Sequence, residues 1–522
     1  MFNVKDFGAI GDGVTDDRVS IQKAIDACGT RGGDVFFPIG IYLLGSSGSS
    51  PCIQLANKVR LLGESRAGSI LKQAGNLDAS VRLVQIESDN CSLGNLTLDG
   101  NKANQPVIVI DGKIVRQRHG IFVRNTEYLA IENVTSQNFT GDGFYIGSNV
   151  SQVTFSNVLA TLNERNGISL ANNGNISDVK IINSTLTDNA VQQIDSEPVS
   201  TKNFPEIPIE NPLGQVNNVV ISGCIIDPGN SNDYAVTCTG SSPKDKDRSH
   251  GWTLTGNIIK GSVNVTWCDD VCITGNIIDN PTTKPCVKIS RTSKNIVVTG
   301  NRLKLTKAGT ETAKAVWVVG TRECINDCTT TVFEAPSLVS ITNNIISVSS
   351  SALNKLAVIA EGAESVTIMG NQIDGGGIQV RATAFGSKVF RSAIVTGNTI
   401  VNAKGSAISC AGDIQQFDLS KICPAEGTKC ADDQRLIATG LFHVVDISHN
   451  VIDDPDPTGI LQQGIRFDNN SLFDGQGLNA DIQITMIGNQ IHSSNAPLTN
   501  FPSVPFLTGG NRGVGEVFTR RP

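Results

Sequence analysis

Two carboxylates set two residues apart, Asp195 and Glu197 in the stretch AVQQIDSEP, are best placed by type and spacing to do chemistry in this chain. In a β-strand alternate side chains share a face, so with Ile194 and Ser196 turned inward the pair points outward together, roughly 7 Å apart. Repulsion between close carboxylates raises the pKa of one, which keeps it protonated as a general acid while its partner stays ionised as a base. Glycoside hydrolysis needs such a pair, and a separation of roughly 7 Å falls nearer the inverting than the retaining range. The competing account is two solvated carboxylates on an exposed strand. Against it, both interrupt an otherwise uncharged stretch.

The elements that must position this pair are read from a repeat. From about residue 80 a phrase of the type V-x-I-x-G-N-x-I recurs, as VVISGCII, WTLTGNII, VCITGNII, VSITNNII, VTIMGNQI and AIVTGNTI. Its asparagine falls at Asn133, Asn157, Asn183, Asn257, Asn276, Asn301, Asn344, Asn371, Asn398, Asn450 and Asn489, with Cys224 taking one slot. The shortest steps, 19 to 27 residues, suit one turn of a parallel β-solenoid whose apolar inner face only neighbouring turns can bury. Asparagines at one corner are expected to adopt left-handed backbone geometry and to hydrogen-bond along the stack. The same account covers the sequons at Asn95, Asn133, Asn138, Asn149, Asn175, Asn183 and Asn264 as corner and turn residues.

Residues 2–44 read as a separate opening unit. A short strand and the loop GAIGDGVTDD lead into a helix with Ile21, Ala24, Ile25 and Cys28 on one face. Thr15, Asp16 and Asp17 suit its N-cap and first turn, and Gly32-Gly33 ends it before DVFFPIGIYLLG resumes as strand. One helix ahead of so much strand is expected to cap an open sheet end. The loop aspartates are read as structural, with no metal site.

Lining up the strands gives outward columns. His119, Asp142, Asn166 and Gln192 stand just before successive strands. Phe122, Tyr145, Ser169, Asp195, Thr237, Asn264, Lys288, Trp317 and Gln379 form the next column, and Arg124, Gly147, Ala171, Glu197 and Arg381 fall two residues on. Stacked strands lie ~4.8 Å apart, so Asp142, Tyr145, Glu164 and Arg165 come within about two rungs of Asp195. Asp142 is the third catalytic candidate, competing with a plain turn role before Gly143. Tyr145 and Trp317, with Trp252 and Trp267, are expected to pack on sugar faces. Arg124, Arg165 and Lys288 are expected to meet acidic sugars, and His119 is a candidate base. Glu164 and Arg165 can equally pair with each other on the surface.

Composition excludes several classes. A net charge of -7 without a Lys/Arg run argues against nucleic acid, and no apolar run approaches a membrane span. Met1 leads directly into MFNVKDFGA, so export is expected either after removal of a signal or by a route such as phage lysis. Of 13 cysteines, Cys324/Cys328 and Cys423/Cys430 sit in polar segments able to close small disulfides. Cys224, Cys238, Cys272, Cys286 and Cys410 fall on strands as small hydrophobes. No cysteine spacing suits zinc.

NVKDFGAIGDGVTDD, the helix ending in AIDA, GGDVFFPIGIYLL and LTLDGN resemble the start of the pectate-lyase-like right-handed β-helix superfamily. That superfamily includes polygalacturonase-like hydrolases, phage tailspike depolymerases and the catalytic modules of mannuronan C5-epimerases. The resemblance implies an all-β, right-handed parallel β-helix with a short capping helix: 1–44 the cap, 45–500 the catalytic solenoid with loop insertions, 501–522 an irregular tail. It does not fix the reaction. None of the polygalacturonase NTD, DD, GHG and RIK motifs is intact. At the epimerase Tyr-Gly-Phe-Asp-Pro-His strand this chain reads Asp142-Gly143-Phe144-Tyr145-Ile146-Gly147, without the histidine. RNGISL followed by QQIDSEPV is more similar to tailspike strands of the GIDIEP type.

The expectation is therefore an extracellular, secreted or virion-associated, endo-acting polysaccharide hydrolase without a cofactor, with a homotrimer as one option. A lyase or C5-epimerase acting on uronic acids is the alternative, and Ca²⁺ enters only there. A non-catalytic glycan-binding virion adhesin is the third reading.

Overall fold

Ile121, Phe144, Ile168 and Ile194 fall in register on adjacent parallel strands, and all four are fully buried. Each contributes about 1.5–3 kcal/mol by leaving water, which no single turn gains alone. That stacking is the principle of the whole chain. The computed structural model describes residues 1–172, 174–198, 214–231, 233–241, 248–307, 312–325, 330–349, 354–382, 389–403, 405–412, 414–417, 436–439, 441–453, 461–468, 483–492, 498–499, 507–509, 512–513 and 516–517. The chain forms two units, Met1–Gly261 and Ser262–Pro522, and each is a parallel β-solenoid.

The first unit opens with helix α1 (Arg18–Ala27), which buries Ile21, Ala24 and Ile25. Its N-cap is Asp17 rather than Thr15, and the Asp17 carboxylate makes no cap bond. It instead accepts the Ile10 and Gly11 N–H groups at 2.6 and 2.9 Å. Asp12 likewise accepts from Val14 and Thr15, and Asp16 from Arg18 and Gly45, so the loop aspartates are structural. The helix covers a sheet edge as expected: Gln22 bonds both the N–H and the carbonyl of Gln54, at 3.0 Å each.

Beyond it one sheet of the unit runs through β1 (Ile53–Leu55), β2 (Val84–Ile86), β3 (Ile121–Val123), β4 (Phe144–Ile146), β5 (Ile168–Asn172), β6 (Ile194–Pro198) and β7 (Val236–Thr239), each paired in parallel with the next. Longer strands form the opposing wall, including Cys91–Asp99, Thr126–Gln137, Val150–Ser156 and Ile176–Ile182. Register on that wall separates two columns that the repeat had merged. Asn133, Asn157 and Asn183 align with Gly223 and Gly256, and all five have positive φ. Cys224 and Asn257 stand one residue later, buried, with the Cys224 N–H donating to Asn257 Oδ1 at 2.9 Å.

In the second unit the buried column continues as a ladder. Asn371 Oδ1 accepts both the N–H and Nδ2 of Asn344 at 3.0 Å, and the same pattern joins Asn276 to Asn301, Asn301 to Asn344, Asn371 to Asn398, Asn398 to Asn450 and Asn450 to Asn489. The left-handed corner belongs to the preceding residue, among them Gly300, Asn343 and Gly370. Left-handed geometry and stack bonding were expected of one residue; here two neighbours divide them. Leu507–Gly509 pairs in parallel with Gln483–Ile487, so this part of the expected irregular tail extends the stack.

Cys28, Cys52, Cys91, Cys224, Cys238, Cys268, Cys272, Cys286 and Cys410 form no disulfide, and all are buried except the half-buried Cys272. The expected Cys324/Cys328 and Cys423/Cys430 disulfides lie outside what is described. Among the described residues no helix is long and apolar enough to cross a membrane.

Candidate active site

The outward face of β3 to β7 carries the candidate site. Tyr145, Ser169 and Asp195 are register partners on β4, β5 and β6. Asp195 is only 8% exposed, whereas Glu197, on the same strand and face, is open to solvent. The two carboxylates therefore have unlike surroundings.

Asp195 Oδ1 accepts from Thr237 Oγ1 at 2.7 Å and Oδ2 from Asn166 Nδ2 at 3.1 Å. Burial, reinforced by the charge of Glu197, pushes its pKa up to about 7; the Thr237 hydroxyl and Arg165 pull the other way. Glu197 Oε2 meets Arg165 Nη2 at 3.1 Å. Near neutral pH one strand thus holds a carboxyl poised between its two forms beside a carboxylate paired to a guanidinium. Unlike surroundings of two carboxyls are what divides acid from base in such a pair.

Behind them lies a buried pair. His119 and Asp142 are both fully buried, with His119 Nδ1 3.1 Å from Asp142 Oδ2. The Asp142 N–H donates to His119 Nδ1 at 3.0 Å, and His119 Nε2 faces Gln117 Oε1 at 2.9 Å. Burial lowers the His119 pKa against the pull of Asp142. Burial opposes ionisation of Asp142 too, but His119, Arg165 and the Asn166 N–H outweigh it and hold the carboxyl low. Its Oδ1 accepts that N–H at 2.9 Å, while Oδ2 has no hydrogen bond and lies 3.6 Å from Arg165 Nη1.

Asp142 and His119 were expected to act on substrate. Both are sealed from the surface: His119 contacts Asp142, and Asp142 accepts the Asn166 N–H and approaches Arg165, which in turn meet Asp195 and Glu197. Arg165 and Glu164 do not pair with each other. Arg165 bridges Asp142 and Glu197, and Glu164 approaches Arg116 at 4.0 Å. Tyr145 stacks on Phe122 with ring centres 5.2 Å apart and 9° between planes, and lies tilted by 32° against His119 at 4.7 Å. Burial, with the charge of Asp142, pushes its phenol up to about 12.

Other expected residues stand apart from this group. Arg124 pairs with Glu87 at 2.8 Å. Trp252 is fully buried, donating to the Val216 carbonyl, and offers no sugar platform. Lys288 and Trp317 belong to the second unit, where Lys288 Nζ lies 5.1 Å and Lys314 Nζ 3.7 Å from the Trp317 ring centre, and Trp317 Nε1 donates to Glu361. Among the described residues no group of three or more His, Cys, Asp or Glu is placed to hold a metal ion. Sequence reasoning gave no role to Asn166 and Thr237, although both stood in its columns; a hydrogen-bonding residue one strand away from a carboxylate was the available signal.

Comparison with known proteins places the opening of the chain. Residues 1–91 match the family described as rhamnogalacturonase A/epimerase, pectate lyase-like. A stretch of 119 residues is 42% identical to mannuronan C5-epimerase AlgE6 of Azotobacter vinelandii, covering 21% of this chain and 14% of that protein. Alginate lyase 7 of the same organism is 36% identical over 112 residues, 20% of this chain and 13% of the lyase. The matched stretches thus span about one seventh of these relatives' length. Among solved structures, the Dettilon tailspike protein aligns over 78% of this chain and 66% of its own, with a TM-score of 0.45 and 16% identity.

Proposed function

We propose that this chain, whose opening residues are pectate lyase-like and whose body is a parallel β-helix, is an enzyme that modifies an extracellular polysaccharide, and that it hydrolyses glycosidic bonds at Asp195 and Glu197. The observation that supports this reading is the unlike state of two carboxyls on one strand: Asp195, buried with a pKa about 7, and Glu197, exposed and paired to Arg165. In that reaction the Asp195 proton passes to the glycosidic oxygen as its bond to the anomeric carbon breaks. Glu197 takes a proton from the water whose oxygen forms the new bond at that carbon. Asp195 ends ionised and Glu197 protonated, and exchange with solvent restores both. The separation of roughly 7 Å expected from strand geometry leaves room for that water and favours inversion.

A second reading is favoured by the similarity to a mannuronan C5-epimerase and an alginate lyase. Under it the substrate is a uronate polymer, and a base removes the proton α to the sugar carboxylate. His119 is sealed from substrate, so the base falls to Asp195, two rungs from Tyr145, whose retained phenol proton serves the leaving oxygen. Lys288 and Trp317 are kept as a sugar-binding pair of the second unit under either reading. A secreted or virion-associated location follows from a polysaccharide substrate, and a trimer is kept as a proposal.

The test is a panel of acidic and neutral polysaccharides, read for new reducing ends and for the ultraviolet absorbance of unsaturated uronates, with wild type, Asp195→Asn and Glu197→Gln. Reducing ends without absorbance, lost in both variants, support hydrolysis. Absorbance supports elimination, and a changed uronate epimer ratio with neither signal supports epimerisation. Binding without any turnover would leave an adhesin.

A further inference from the structure

Register carries the column of His119, Asp142, Asn166 and Gln192 one rung further back. Val84 of β2 pairs with Ile121 of β3, so the residue two places before Val84 is the counterpart of His119. That residue is Arg82. Its guanidinium carbon lies 4.5 Å over the ring of Phe122, which stacks in turn on Tyr145. Its Nε is buried and has no hydrogen-bond partner.

Arg118, Arg66 and Arg165, also buried or half-buried in this unit, are engaged. Arg118 donates to the carbonyls of Leu77, Asp78 and Pro106, Arg66 to Thr135, Asn133 and the Asn157 carbonyl, and Arg165 to Glu197. Arg82 makes neither an ion pair nor a hydrogen bond with its side chain among the described residues. The nearby carboxylate Glu87 is instead taken by Arg124. A half-buried guanidinium without an anion is costly to the fold. Here it lies on an aromatic face beside the candidate site, with Nε sealed and without a partner.

We infer that Arg82 binds a carboxylate of the polysaccharide at a subsite built on Phe122 and Tyr145, so that the substrate class is a uronate-containing polymer. This rests on the reading of the site as polysaccharide-active, but not on which reaction follows. The guanidinium supplies planar bidentate donors that match a carboxylate; the buried Phe122 ring beneath it holds it in place, and the half-buried Tyr145 is the aromatic nearest the surface. The subsite spans two to four strand spacings from Asp195, roughly 10–19 Å along the stack, so the bound chain would run along the sheet. It would engage several sugars at once.

The test is binding of the full chain to polymannuronate, polygalacturonate, their carboxyl-reduced forms and dextran sulfate, for wild type, Arg82→Gln and Arg82→Lys, in the Asp195→Asn background so that no turnover intervenes. The expected result is affinity for at least one polyuronate, lost on carboxyl reduction and not matched by dextran sulfate. Arg82→Gln should weaken it by about tenfold or more, with partial rescue in Arg82→Lys. Arg82→Gln should also melt no lower than its parent, because it removes an unpaired charge. Unchanged affinity in Arg82→Gln, equal affinity for reduced or sulfated polymers, or no affinity for either polyuronate would overturn the inference. Arg82-dependent binding by a wild type that releases no reducing ends would instead defeat hydrolysis and leave this subsite standing.

Discussion

The Thr237 hydroxyl donates to Asp195 Oδ1 over 2.7 Å, from the strand next to that of the carboxyl. It is the main hydrogen bond restraining the rise that burial and Glu197 impose on the Asp195 pKa. The same oxygen accepts the Ser196 N–H at 2.9 Å, so the threonine also fixes the backbone between the two carboxylates.

Replacing this threonine should therefore change pH dependence in a defined direction. Thr237→Val removes a donor that stabilises the anion, so the Asp195 pKa rises further. If protonated Asp195 is the acid, the alkaline limb of kcat/KM moves up by about half to one pH unit. A pH profile of the variant checks this, and a limb that moves down refutes the assignment.

Stability should carry the same signature. The folded pKa of Asp195, about 7, lies above its ordinary value of 3.8, so between those limits the folded state binds more protons than the unfolded state. Stability then falls as pH rises from about 4 to about 7, by up to about 4 kcal/mol, and levels off above. Asp195→Asn should flatten that fall. Denaturant unfolding at pH 5 and pH 8 measures the difference for both proteins.

The buried pair behind the site predicts a structural loss. Asp142→Ala removes the acceptor of the Asn166 N–H and leaves Arg165 with one carboxylate, Glu197, in place of two. Breaking a buried charged pair costs about 3–5 kcal/mol, and activity should fall with it because Arg165 is no longer held from both sides. Asp142→Asn keeps the shape and should retain more of the stability. Thermal melting ranks the two.

How much of this was legible in the sequence follows from what each feature depends on. The stack and the outward pairing of Asp195 with Glu197 depend on strand periodicity, which local sequence carries. The sealing of His119 and Asp142 depends on packing between rungs, which it does not. Asn183 and Asn257 look alike in their phrases, yet one is a left-handed corner and the other a buried ladder residue. Only pairing register separates them by one position. Arg82 escaped for the same reason, since β2 is short and its phrase departs from the repeat.

The ladder gives a further check in the second unit. Asn371→Ala leaves Asn344 without its Oδ1 acceptor and the Ile341 carbonyl without its donor. Unsatisfied buried groups of this kind cost about 1–3 kcal/mol each, so urea unfolding of that unit should shift to clearly lower denaturant.

Direct titration of the Asp195 carboxyl tests the central claim, that this buried group keeps its proton near neutral pH beside the Arg165-paired Glu197. With carbon-13-labelled aspartate, the resonance lost in Asp195→Asn should titrate at about 7 in the wild type. It should titrate lower in Glu197→Gln, because the neighbouring charge that raises it is gone. A wild-type value near the ordinary carboxylate range, about 4, would contradict the account.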